Sequence, residues 1–314
     1  MTEFFGEALS QGRRILSDLA IPFDRLQPLK GGGRNVVLSV DGRLVLRLAR
    51  DVPVGSLLAE AEILRQLGAH TRFPTVLQAG VKDGWTYQLQ RFVSGVSPIH
   101  LWSRLTEAQK RVLIARLSED LRIMHACGRD GFGCHGEAPR IVTWRDYCAQ
   151  DLADLITRAE ARHVLPDFTR DSRLFFDAHG VVLGEGRRGC LVHNDLWFGN
   201  MLVDQGELTA VLDFELAFWG EPDTDLFKFE FFCRRPEDYG CEGDFADAMP
   251  LMAEFYPDLF VPDVARRLDL YDLIFTWRQL LYGLDRGGQE APSYVAFARR
   301  HLARLLGGRI QRLV

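Results

Sequence analysis

Along the first 93 residues, apolar positions fall into short alternating runs separated by glycine and by Asp-Gly pairs. Residues 3–19 repeat apolar positions at helical spacing, and the runs Leu26–Leu29 and Asn35–Val40 then alternate around Gly31-Gly32-Gly33. Asp41-Gly42 separates this run from Leu44–Leu48, a strong hairpin signal. Residues 57–67 return to helical spacing, with Leu58, Ile63, Leu64 and Leu67 near one face. The strands Thr75–Val81 and Trp85–Val93 flank a Lys82-Asp83-Gly84 turn, and Ser94-Gly95 with Pro98 marks a junction. Beyond it the pattern predicts helices over 107–127, 142–163, 222–231, 244–255, 262–284 and 292–306. One short hairpin interrupts them, Met201–Val203 and Leu208–Leu212 around Asp204–Glu207. The expected fold class is α+β with two lobes: a small β-rich lobe at 1–93 and a larger, mainly helical lobe at 94–314. A cleft between lobes is a favoured ligand site.

Composition narrows the function classes. Of 314 residues, 47% are hydrophobic and 26% charged, which is the profile of a folded soluble chain. The net charge of −5 argues against gripping a nucleic-acid backbone, and suits a cationic substrate. No two of the six cysteines have C-x-x-C spacing, so free thiols in a reducing cytoplasm are expected. The N-terminus reads as an amphipathic helix with no signal-peptide pattern, and no apolar run spans a membrane. His125, His163 and His301 lack metal-ligand spacing and read as ordinary.

The chemistry concentrates in 191–226, LVHNDLWFGNMLVDQGELTAVLDFELAFWGEPDTDL. Asn200 precedes one strand of the short hairpin and Asp213 follows the other, so antiparallel pairing brings them side by side. An amide oxygen beside a carboxylate suits a hard cation such as Mg²⁺. Asp195, five residues before Asn200 on the same loop, could orient a hydroxyl and accept its proton.

The run His193-x-Asp195-x-x-x-x-Asn200 followed by Asp213 resembles the kinase catalytic loop and metal motif. More closely, His193–Asn200, Asp213-Phe214-Glu215 and Gly220–Leu226 are similar to the aminoglycoside phosphotransferase family of small-molecule kinases. The resemblance implies a bilobal, protein-kinase-like fold. It implies Asp195 as base, Asn200 and Asp213 as Mg²⁺ ligands, His193 as structural support, and Asp225 as brace of the catalytic loop. It places a phosphate-covering loop at Gly32, Gly33 and Asn35, a phosphate-neutralising cation at Arg47, and its carboxylate partner at Glu60. Glu62 rivals Glu60, but lies on a different side of the helix, so only one of them faces the strand. Arg47 stands where the general pattern has lysine, and its planar fork changes the contact geometry. Backbone groups of Gln90, Arg91 and Phe92 would meet the nucleobase of ATP or GTP.

On the acceptor side, the acids Glu230, Glu237 and Asp238 form a candidate wall for a polycation, with Trp277 and Arg278 as further candidate contacts. The expected function is Mg²⁺-dependent transfer of a γ-phosphate to a small-molecule hydroxyl, such as that of an aminoglycoside or another antibiotic. A kinase for choline, an amino-sugar or an amino acid is an alternative. A catalytically silent nucleotide-binding scaffold is another, opposed by the intact Asp195, Asn200 and Asp213. No nucleic-acid or membrane partner is expected, and oligomeric state is not legible.

Overall fold

Two-residue turns and apolar alternation set the first sheet. In the computed structural model, which describes residues 2–29, 35–50, 56–68, 72–288 and 291–314, five antiparallel strands follow in space as β1-β2-β3-β5-β4. They are β1 (Leu26–Pro28), β2 (Val36–Val40), β3 (Leu44–Arg50), β4 (Val76–Lys82) and β5 (Trp85–Arg91). Asp83 (φ 49°) and Gly84 (φ 78°) form the β4–β5 turn, both at the positive φ that a type I′ hairpin demands. Helix α1 (Thr2–Asp18) lays Ala8, Ile15 and Leu16 on Leu26, Leu38, Leu46 and Leu89 of this sheet. Helix α2 (Ser56–Leu67) packs on β4 and β5 through buried Leu57, Ala61, Ile63 and Leu64.

By internal contacts the chain divides after Met124 and not near residue 93: Met1–Met124 with Trp197–Ala217 form one unit, His125–Leu196 with Phe218–Val314 the other. The first unit therefore adds helix α3 (Glu107–Ala126) up to Met124. It also adds a hairpin made of two strands later in the chain, numbered β9 (Met201–Asp204) and β10 (Glu207–Val211). Backbone bonds capture the hairpin. Val96 and Val203 exchange N–H···O bonds of 2.9 Å in both directions, and Val211 N–H donates to the Arg72 carbonyl at 2.8 Å.

The second unit carries a small sheet in the order β6-β8-β11-β7, formed by β6 (Gly128–Asp130), β7 (Gly133–Cys134), β8 (Arg188–Val192) and β11 (Phe218–Gly220). Its helices are α4 (Trp144–Glu160), α5 (Pro166–His179), α6 (Asp223–Arg234), α7 (Ala248–Phe255), α8 (Val264–Arg286) and α9 (Ala291–Leu306). Helix α4 starts where Thr143 Oγ1 accepts the Asp146 N–H, a side-chain N-cap. Helix α8 packs against α4, α5, α6 and α9 and is buried along most of its length. Helix α5 and the short strands of this sheet are additions to the predicted elements. The core-facing positions of α5 include Thr169 and Ser172, so its stripe is not apolar. Among the described residues no helix is long and apolar enough to cross a membrane.

Candidate active site

Strand β8 delivers His193 and Asn194 to the fully buried carboxylate of Asp225, at the start of α6. Its two oxygens accept the His193 N–H at 2.9 Å and the Asn194 N–H at 2.7 Å. Asn194 takes φ 60°, a left-handed turn that asparagine tolerates better than most residues. The next residue, Asp195, is half-buried, with its own N–H directed to His193 Nδ1 at 3.3 Å. His125 is more than the end of a helix: Nε2 lies 3.0 Å from Asp225 Oδ2 and Nδ1 3.0 Å from the Tyr256 hydroxyl, so it buttresses the same carboxylate. His301 is likewise buried, with Nε2 3.0 Å from Asp238.

Lys228, which the sequence reading did not single out, lies against Asp195. From α6 its Nζ reaches Asp195 Oδ1 at 3.2 Å and sits 4.1 Å from the centre of the Phe275 ring. Only 5% of it is exposed. The available signal was a lone lysine in Leu-Phe-Lys-Phe-Glu-Phe-Phe: a charge inside so apolar a run must be paired. Arg267 fixes the start of α6, bonding Asp223 at 2.6 Å and also pairing with Glu221.

In the first unit, β9 and β10 pair Met201 with Val211, and the Leu212 N–H donates to the Asn200 carbonyl at 2.7 Å. Asn200 and Asp213 thus stand at the open end of one hairpin, with Asp213 at φ 67°. Arg47 Nη2 meets Asp213 Oδ1 at 3.1 Å, while its Nη1 pairs with Glu60 on α2. Glu60 faces the strand, and Glu62 is exposed. Burial alone would lower the Arg47 guanidinium, but Glu60 and Asp213 hold it above its ordinary value. Burial pushes the Glu60 carboxyl up, with Arg47 pulling against it. The same Glu60 oxygen accepts the Phe214 N–H at 3.2 Å, tying α2 to the residue after Asp213. Buried Asn35 donates to Glu215 at 3.0 Å, and its Oδ1 has no hydrogen-bond partner among the described residues.

Several expected contacts are placed elsewhere or remain outside. Gly32 and Gly33 lie outside the described residues. The N–H groups of Arg91 and Phe92 are committed to the carbonyls of Thr75 (3.0 Å) and Arg43 (2.9 Å), so neither can donate to a nucleobase. Gln90 is buried in β5, its amide bonded to Gln88. Glu230 is not part of an acidic wall: fully buried, it bonds Arg234 and Arg312, each at 2.9 Å. Trp277 is a core residue that donates its indole N–H to Ser172 at 3.0 Å. Asp238 is engaged by His301, and Glu237 is exposed 3.6 Å from Arg235. Arg278 remains at a pocket, paired with Asp151 at 2.5 Å.

The loop ending in Asp195 belongs to the second unit, and the Asn200–Asp213 and Arg47–Glu60 pairs belong to the first. Residues 25–255 match the model of the phosphotransferase enzyme family APH, most of the chain, and the protein belongs to that family. It is a small-molecule kinase with a protein-kinase-like fold. Among solved structures, aminoglycoside phosphotransferase APH(4)-Ia superposes with a TM-score of 0.72 at 20% identity, over 97% of this chain and 100% of that one. ADP-bound APH(2'')-Ib gives 0.69 at 19% identity, over 94% and 97%. A probable ketoamine kinase of Lactiplantibacillus plantarum is 25% identical over 279 residues, 84% of this chain and 90% of its own.

Proposed function

We propose that the protein transfers the γ-phosphate of ATP or GTP, with Mg²⁺, to a hydroxyl of a small molecule. The observation that carries this reading is the Asp225-bound loop, which holds Asp195 half-exposed beside the buried cation of Lys228. Asp195 is the base that orients the acceptor hydroxyl and takes its proton, and Lys228 fixes the carboxylate's direction. Arg47, anchored by Glu60, neutralises phosphate charge.

The donor chemistry fits Mg²⁺. Asn200 and Asp213 offer hard oxygens, and the Asp213 side chain is 39% exposed. Among the described residues no group of three or more His, Cys, Asp or Glu side chains is placed to hold a metal, so water and phosphate oxygens would complete the shell. When bound, the ion would offset the charge of the transferring phosphoryl group. Solved neighbours include complexes with streptomycin and gentamicin, and a curated relative is named for ketoamines, which sets the compounds to test. The test is γ-labelled ATP and GTP with Mg²⁺ across hydroxylated antibiotics, aryl glycosides and amino-sugar metabolites. Asp195→Asn should lose about 10²–10⁴-fold in turnover; full activity in that variant would remove Asp195 from the mechanism.

A further inference from the structure

The second unit contains a pocket of about 450 Å³, open solvent included, lined by Asn194 of the loop and by Lys228, the partner of Asp195. Its other walls are aromatic. Trp144 stacks on Tyr147 at 5.3 Å with planes 8° apart, and Tyr147 lies 6.5 Å from Phe218 at 23°. Phe227 and Phe275 face each other edge-on at 5.7 Å. Trp144 is fixed from behind by its indole N–H, which donates to the Tyr271 hydroxyl at 2.9 Å. The charges are balanced. The cations lining the pocket are Lys228 and Arg278, the first paired with Asp195 and the second with Asp151.

We infer that this is the acceptor pocket and that it selects a neutral, hydroxylated compound with a flat apolar ring, not a polycation. The inference rests on Asp195 being the base, since that is what makes a pocket beside Lys228 an acceptor site. A polyamine would bring several ammonium groups against two cations that already line the pocket, Lys228 and Arg278, while its one lining carboxylate, Asp151, is already paired with Arg278. A flat ring finds partly exposed aromatic faces in Tyr147, Phe218 and Phe275, with Tyr147 backed by buried Trp144, and ring stacking needs no charge. A hydroxyl beyond the ring then points toward Asp195.

The experiment is calorimetric titration of the full chain with phenyl β-glucoside and related neutral aryl glycosides, and with kanamycin as the polycation. Neutral ring compounds should bind and kanamycin should not. Tyr147→Ala should weaken the ring compounds about tenfold while Tyr147→Phe keeps their affinity. Arg278→Glu, at an exposed position, should raise kanamycin affinity by leaving surplus acid at the pocket. The inference is overturned if kanamycin binds more tightly than every neutral ring, if no neutral ring binds, or if Tyr147→Ala binds as wild type. Phosphate transfer to a bound aryl glycoside that survives Asp195→Asn would instead sink the kinase role of Asp195 and leave the pocket's selectivity standing.

Discussion

Glu60 receives the Arg47 guanidinium and the Phe214 N–H on one buried oxygen, so losing its charge is felt on a strand and on the residue after Asp213 together. Glu60→Gln should destabilise the fold by about 3 kcal/mol, in the range for breaking a buried pair, as read by urea denaturation. It should also raise KM for the nucleotide; an unchanged midpoint and KM would mean the pair is idle. An Arg47–carboxylate pair was legible because a strand cation and a helix carboxylate at this spacing match a known pattern, but periodicity said only that one of Glu60 and Glu62 faces the strand, and packing chose Glu60. Lys228 was not legible in that way. Its partner lies 33 positions earlier in the chain, and only the packing of α6 beside the Asp195 loop brings them together. For Arg91 and Phe92 the sequence left a related point unread: residue names do not show which backbone N–H groups are already used, and theirs are.

Helix α6 shows what a fully buried element demands. Every residue from Asp223 to Cys233 is buried, so each of its charges must find a partner. Asp225 takes the loop, Lys228 takes Asp195, and Glu230 takes Arg234 and Arg312. Arg312 also reaches Asp269 at 2.9 Å and Asp272 at 3.2 Å. Arg312→Ala would leave Glu230 short of a cation, and should cost about 3–5 kcal/mol by chemical denaturation; a loss below 1 kcal/mol would show that Arg234 suffices. The aromatic run of α6 predicted a helix, and its Glu230 read as part of an acidic wall because sequence alone does not reveal an element packed on every side. Helix α5 stayed hidden for the opposite reason, its core face being partly polar.

For the whole molecule, the two units were legible as a β-rich and a helical part. The division was not, since it depends on the hairpin of β9 and β10 bonding Arg72 and Val96, far earlier in the chain. Stability should carry a pH signature from the second unit. Burial alone would lower His301, but Asp238 and Asp272 raise it above its ordinary 6.5. A raised histidine contributes fully below 6.5, and that contribution is lost as pH climbs through the higher folded value. His301 and its neighbours in turn hold Asp238 and Asp272 below 3.8 against the upward push of burial, and their share is lost only as pH falls through that acid range. Calorimetric melting should therefore show wild-type Tm declining above neutral pH and His301→Gln nearly flat there; a wild-type Tm that rises over the same interval contradicts this. Arg312, finally, has a practical consequence. It ties the segment after α9 to the helix that presents Lys228, so proteolytic loss of that segment would loosen the very helix that lines the pocket, and kinetics of the clipped protein would differ from those of the intact one.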